Sequence, residues 1–381
     1  MIKLAESTID SIDIECLIQW LGTDPQLTQG AVVEQFEAEW SQRFSNRQSV
    51  MVSSGSTAIL AALYALKLTG LRNLKVVVPA VSWATDYSSV VQLGMEPLIC
   101  DCNLQNLAVD MEMLEDLFKK EAPSILILVQ VLGLVPAMED VAQLCNQYGV
   151  ILVEDCCEAL GSKYKGKLLG EFGKISLFSF YYGHHLSTIE GGMLTTSDEA
   201  LADTLRMVRS HGWSRSLCDV KKKALRADFN VSEFQEAFTF YVPGFNLRST
   251  NLNAQIGLNQ LKKLDWVIEQ RSEIFNNFRE NFRLDWKPQV ETQNLVSCFG
   301  YPIITEQRDE LAAHLVKNGI ECRPLIGGSL CEQPMVKVAG HACTTPNASH
   351  VHYNGMYIPC HPYLTEEDQS KIIETVNNFF M

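Results

Sequence analysis

The sequence predicts an α/β fold: a mostly parallel central sheet with helices on both faces, followed by a smaller C-terminal α/β unit. Three observations carry this expectation. Between residues 50 and 155 short apolar runs alternate with helical stretches of about ten to fifteen residues, the mark of βαβ units. Runs such as Val76-Val77-Val78 leave no wet face, as expected of strands covered on both sides. Near Trp286-Lys287-Pro288 the pattern changes to shorter strand and helix units. A boundary inside the preceding long helix gives a large domain over 1–260, with N-terminal helices, and a smaller one over 261–381.

In chain order, helical periodicity places helices over 9–21 and 30–40. Val50-Met51-Val52 is a short strand that breaks at Ser53-Ser54-Gly55-Ser56-Thr57 into a helix of strong formers over 58–68. A hydroxyl-rich turn opening a helix offers free N–H groups, hydroxyls and the positive end of the helix dipole, a combination that binds phosphate. Ser56 or Thr57 serving as a plain N-cap explains the same residues. Then come a strand over 75–79, a loop with Trp83, a helix to Leu93 and strands over 96–101 and 124–131. A helix over 138–148 and a strand over 150–155 put Asp155 at the carboxyl end of a strand. The strand over 177–182 runs into Gly183-His184-His185, so the histidines are expected at a strand end, where α/β folds build their sites. Glu190-Gly191-Gly192 lets the backbone turn tightly into a strand over 193–196. After a helix over 199–211, residues 212–240 lack a period and read as a functional or mobile loop, with Lys221-Lys222-Lys223 as a solvated face. A second loop, 241–250, carries Asn246 and Arg248 into a long amphipathic helix over about 249–283. A strand over 298–304, a helix over 306–318, a strand over 320–324 and a final helix opened by Thr365-Glu366-Glu367-Asp368 complete the chain.

A formal charge of −14 with no basic run argues against nucleic acid or anionic membrane as partner. No eighteen apolar residues run together and the N-terminus lacks a signal-peptide core, so a cytoplasmic protein is expected. The 12 cysteines fit no zinc or iron–sulfur spacing and are expected to be mostly reduced core residues, with no metal site.

The candidate site residues form one set: a phosphate cradle at 53–57, an aromatic at Trp83, a carboxylate at Asp155 and His184. Pyridoxal phosphate needs such a set: phosphate donors, a flat side chain over the ring, and a carboxylate that keeps the pyridine nitrogen protonated. At this point the chain resembles the DegT-type sugar aminotransferases of the pyridoxal phosphate fold type I class. The resemblance runs from about residue 25 to the C-terminus and rests on Ser54-Gly55-Ser56-Thr57, Val78-Pro79-Ala80, Glu154-Asp155, Phe178-Ser179-Phe180, Glu190-Gly191-Gly192, Asn246-Leu247-Arg248, Arg323-Pro324 and His361-Pro362. It implies that Asp155 pairs with the pyridine nitrogen, Trp83 stacks on the ring, and Gly55, Ser56 and Ser179 hold the phosphate. It also implies a homodimer with shared sites, in which Asn246 reaches the phosphate of the other subunit. His211 and Arg323 are candidates for substrate contact, and Glu158 for contact with the cofactor or a neighbour.

Two positions depart from the aminotransferases. Where they carry the lysine that forms an imine with the cofactor, six residues before Glu-Gly-Gly, this chain has His184, and where they carry Gln it has Glu158. Imidazole forms no stable imine, so the cofactor is expected to bind noncovalently. The pattern resembles a small subgroup of dehydratases acting on nucleotide-linked 4-keto-6-deoxy sugars of the GDP-4-keto-6-deoxymannose type. Related CDP-sugar enzymes add an iron–sulfur cluster, whose cysteines are absent from this sequence. The subgroup implies pyridoxamine phosphate as working cofactor, L-glutamate as amino donor, and His184 as the base that also assists loss of the C3 hydroxyl, while His185 is structural. An aminotransferase with a displaced base and a noncatalytic ketosugar-binding relative are the alternatives.

Overall fold

A computed structural model describes residues 1–45 and 47–381. Helices α1 (Ser11–Leu21) and α2 (Ala31–Arg43) lead into β1 (Gln48–Val52), after which α3 (Gly55–Leu68), β2 (Lys75–Pro79), α4 (Ala84–Gln92), β3 (Glu96–Cys100), α5 (Met111–Glu121), β4 (Ile125–Val129), α6 (Met138–Tyr148) and β5 (Ile151–Asp155) alternate. A hairpin of β6 (Lys163–Tyr164) and β7 (Lys167–Leu168) precedes β8 (Ile175–Ser179) and β9 (Gly192–Thr196). Next come α7 (Glu199–Arg209), α8 (Asp219–Phe229), α9 (Glu233–Glu236) and the long α10 (Asn251–Asn281). The C-terminal part holds β10 (Gly300–Ile304), α11 (Arg308–Lys317), β11 (Arg323–Pro324), α12 (Pro334–Val338), α13 (Pro346–Asn354), β12 (Gly355–Pro359) and α14 (Glu366–Phe379).

The central sheet has seven strands in the order β1-β9-β8-β5-β4-β2-β3. From β8 to β3 every pairing is parallel, and only β9 runs against its neighbours. The expected mostly parallel sheet is therefore present. The smaller sheet has the order β10-β12-β11.

The sheet is fixed on α2 by aromatic packing. Trp40 meets Phe180 at 5.0 Å and Phe44 meets Phe178 at 4.7 Å between ring centroids, which anchors the strand leading to the site. Buried Arg209 bonds both the Glu37 carboxylate and the Met51 carbonyl, tying α7, α2 and β1 together.

Several expectations need correction. The stretch 212–240 is not a loop but carries α8 and α9, whose exposed, largely polar faces give no amphipathic period. The strand expected over 177–182 ends at Ser179: Phe180 still donates in register to the Gly191 carbonyl, and the chain then turns, with the Thr188 N–H donating to the Phe180 carbonyl and the His184 N–H to the Tyr181 carbonyl. The cysteines are mostly free, as expected, with one pair, Cys331 and Cys343, 12 residues apart, joined in a disulfide. Among the described residues no helix is long and apolar enough to cross a membrane.

Candidate active site

The carboxyl ends of β1, β2, β4, β5 and β8 converge on one cavity of about 610 Å³, which is where open parallel sheets place ligands. At the end of β1 the chain turns into α3, and the cap is Ser54, not Ser56 or Thr57. Ser54 Oγ accepts the Thr57 N–H while Thr57 Oγ1 accepts the Ser54 N–H. Gly55 and Ser56 thus open the helix, with N–H groups that have no carbonyl one turn below. Both line the cavity. Only glycine fits at 55, since a Cβ there would lie 2.8 Å from Ser179 Cβ, and this close approach brings the β8 hydroxyl into the same cradle.

Trp83, 57% exposed, caps α4 and forms one wall. Asp155 ends β5, is 8% exposed, and accepts the Cys157 N–H at 2.9 Å. Burial raises its carboxyl, against the stabilising Cys157 bonds, and raises buried Asp86 further, where the Asp155 charge adds to the effect. Glu158 lines the cavity and accepts the Leu132 N–H at 2.8 Å; burial, reinforced by Asp155, pushes it up to about 8.

His184 does not lie at the strand end. It sits five positions beyond Ser179, in a turn closed by its N–H donating to the Tyr181 carbonyl at 3.0 Å. Its Nδ1 bonds the Cys157 carbonyl, which only accepts, so Nδ1 carries the hydrogen and Nε2 keeps its lone pair. The Phe299 ring lies 5.0 Å away, and burial pulls the imidazole down to about 4. Adjacent His185 is 1% exposed and donates from Nε2 to the Ser297 carbonyl at 3.0 Å, a packing arrangement.

The structure gathers Gly55, Ser56, Trp83, Glu158, Ser179, His184 and Arg323 around the cavity, with Asp155 behind Cys157. His211 and Asn246 do not line it. His211 holds a left-handed φ of 60° with its ring against Trp213, and Asn246 is exposed with Oδ1 accepting from Arg248. Sequence reasoning missed Cys157, Tyr181, Glu190, Phe299 and Tyr357 as lining residues. Cys157 and Tyr181 lie two residues beyond strand ends that were read correctly or nearly so, but Phe299 and Tyr357 come from the smaller sheet and carry no local signal.

No lysine lines the cavity among the described residues. Lys163 and Lys167 lie on the β6–β7 hairpin, Lys165 pairs with Glu139 and Lys174 with Asp198. Nor does any group of three or more His, Cys, Asp or Glu among the described residues stand ready for a metal ion.

Comparison with known proteins agrees with this geometry. A GDP-4-keto-6-deoxy-D-mannose 3-dehydratase of Escherichia coli O55:H7 is 32% identical over 94% of this chain and 95% of its own length, and one of Yersinia pseudotuberculosis is 31% identical over 99% and 96%. A GDP-perosamine synthase of Escherichia coli O157:H7 is 27% identical over 96% and 94%. The solved structure of the Escherichia coli dehydratase with bound hydrated pyridoxal phosphate superposes with a TM-score of 0.89 at 29% identity, covering 99% of both chains. The same enzyme is known with a trapped pyridoxal phosphate–glutamate geminal diamine, again at a TM-score of 0.89. Residues 9–377 match the model of the DegT/DnrJ/EryC1/StrS aminotransferases, and the chain belongs to that family.

Proposed function

We propose that this chain removes the C3 hydroxyl of a nucleotide-linked 4-keto-6-deoxyhexose of the GDP-4-keto-6-deoxymannose type. The reaction uses noncovalently bound pyridoxal or pyridoxamine phosphate, and L-glutamate restores the amine form. The observation that carries the reading is a neutral imidazole, His184, with its lone pair free in a cavity that no described lysine lines. The names of the dehydratase relatives and the pyridoxal phosphate bound in one of them support it.

The residues present fit the cofactor. The crowding that admits only glycine at 55 leaves an anion room beside the N–H groups of Gly55 and Ser56 and the Ser179 hydroxyl. Trp83 offers an exposed indole face, and Asp155 a carboxylate that favours a protonated ring nitrogen. When bound, the cofactor supplies an amine for the C4 ketone and a ring that accepts electrons. His184 Nε2 takes a proton from carbon and returns one to the departing hydroxyl. Because burial makes the imidazole a weak base, its protonated form is a correspondingly strong acid toward a poor leaving group. Arg323 stands at the mouth for the anionic part of the substrate.

A cytoplasmic homodimer completes the proposal, with Asn246 and His211 serving the site of the other subunit, as their distance from their own cavity allows. The proposed division at residue 260 leaves the seven-strand and three-strand sheets on opposite sides. The test follows nitrogen: the protein is incubated with pyridoxal phosphate, 15N-labelled L-glutamate and GDP-4-keto-6-deoxymannose. A sugar product lighter by one oxygen atom, free of label and matched by released ammonia and 2-oxoglutarate, supports the dehydratase. Retained label means an aminotransferase, the activity of the perosamine-synthase relatives.

A further inference from the structure

Arg271, on α10, is 1% exposed, yet among the described residues no carboxylate lies within ion-pair distance of it. Buried cations are costly unless an anion or a full set of hydrogen bonds compensates. Here the compensation is four backbone carbonyls at the two terminal nitrogens, while Nε is buried without a partner among the described residues. Nη1 donates to Cys298 O at 3.0 Å, Phe299 O at 2.9 Å and Cys360 O at 3.0 Å, and Nη2 to Gly183 O at 3.3 Å. Those carbonyls belong to three segments distant in sequence that each carry part of the cavity wall. Gly183 precedes His184, Phe299 is itself a wall residue in contact with the His184 ring, and Cys360 follows the strand that bears Tyr357. The guanidinium is the shared bolt behind the imidazole. Burial lowers it only to about 10, so its charge persists at neutrality.

We propose that Arg271 is the positioning residue for proton transfer at His184: it locks the turn that carries the imidazole by clamping it to the two other segments of the cavity wall. This rests on the reading of His184 as the base. Arg271 faces His184 from α10; Cys157 and Glu158 face it from the segment after β5, Tyr181 and His185 from its own turn, and Tyr357 and Arg323 from the smaller sheet. Cys157 and Tyr357 are held in their neutral forms by burial, and Glu158 is protonated below about pH 8. Arg271 is therefore the buried permanent charge beside the ring, adding to the effect of burial on His184.

The test compares the parent, Arg271→Met, Arg271→Lys and His184→Asn as cofactor-loaded proteins. Imidazole titration is followed by 15N NMR, and kcat and KM by the dehydration assay across pH. In Arg271→Met the His184 titration and the acid limb of kcat/KM rise by about one pH unit. In Arg271→Lys, which keeps the charge but not the fork, the titration stays low while kcat falls about tenfold at unchanged KM. Should the Met variant fail to fold, the Lys variant decides alone: parental kcat overturns the proposal. If His184→Asn is inactive while both Arg271 variants match the parent in titration and kcat, the clamp falls and the base stands. If His184→Asn still dehydrates at the parental rate, the base assignment falls and takes the clamp with it.

Discussion

At the scale of single residues, the proposed chemistry turns on imidazole in place of lysine, and the surroundings of His184 set its hydrogen bonding and charge. The Cys157 carbonyl fixes one tautomer, so the free Nε2 is a consequence of backbone geometry rather than of pH. Replacing His184 by Asn, which keeps polarity but cannot carry the proton, is expected to lower kcat at least 100-fold without loss of cofactor binding, read by dehydration assay and cofactor absorbance. Glu158 makes a different prediction. Held up to about 8 by burial, it is protonated at neutral pH and ionises on the alkaline side. Glu158→Gln mimics the protonated form, so activity at pH 7 stays within about threefold while the alkaline limb near pH 8 flattens in a pH–rate profile. Both positions were legible in the sequence because they replace residues a familiar pattern requires. Their titration was not, since it depends on burial and on neighbours such as Leu132 that no local pattern connects to them.

At the scale of elements, the turn from β1 into α3 shows how a sequence signal can be right in kind and shifted in place. The Ser/Gly/Ser/Thr run announced a helix N-terminus with Ser56 or Thr57 as its cap, but the capping pair Ser54–Thr57 places the cap earlier, at Ser54. That shift exposes the Gly55 and Ser56 amides. Gly55→Ala would push its Cβ against Ser179, so pyridoxal phosphate affinity should fall at least tenfold by fluorescence titration, with circular dichroism unchanged. The turn that carries His184 was harder to read. Its sequence continues the aromatic run of β8, and the strand ends early because the chain turns back after Phe180, closed by the Thr188 N–H to the Phe180 carbonyl and the His184 N–H to the Tyr181 carbonyl. Helices α8 and α9 were missed because they bury no residue, leaving hydrophobic periodicity nothing to report.

At the scale of the whole molecule, the parallel sheet and its covering helices were readable from alternating runs, since each βαβ unit is written locally in the sequence. The joining of distant segments was not. The N-terminal residues pair with the smaller sheet's surroundings: Ile2 exchanges backbone bonds with Gly319 and Glu321, Leu4 N–H reaches the Glu321 carboxylate at 2.8 Å, and His361 donates to the Lys3 carbonyl at 3.1 Å. Burial pulls His361 down to about 4, against about 6.5 when unfolded. Protonation between those values therefore favours the unfolded chain, and stability is lost as pH falls through this window. The advantage of the parent over His361→Gln should shrink by about 2 kcal/mol between pH 7 and 4.5, measured by denaturant titration. The seam also bears on synthesis. A Cβ at Gly183 would touch Ala5 at 3.3 Å, so the segment before α1 backs the turn that carries His184, yet its partners at 319–321 and 361 are synthesised long after it. Closure of the site is therefore an event of high contact order, and a nascent chain stalled before residue 319 can own a complete parallel sheet and still lack a working enzyme.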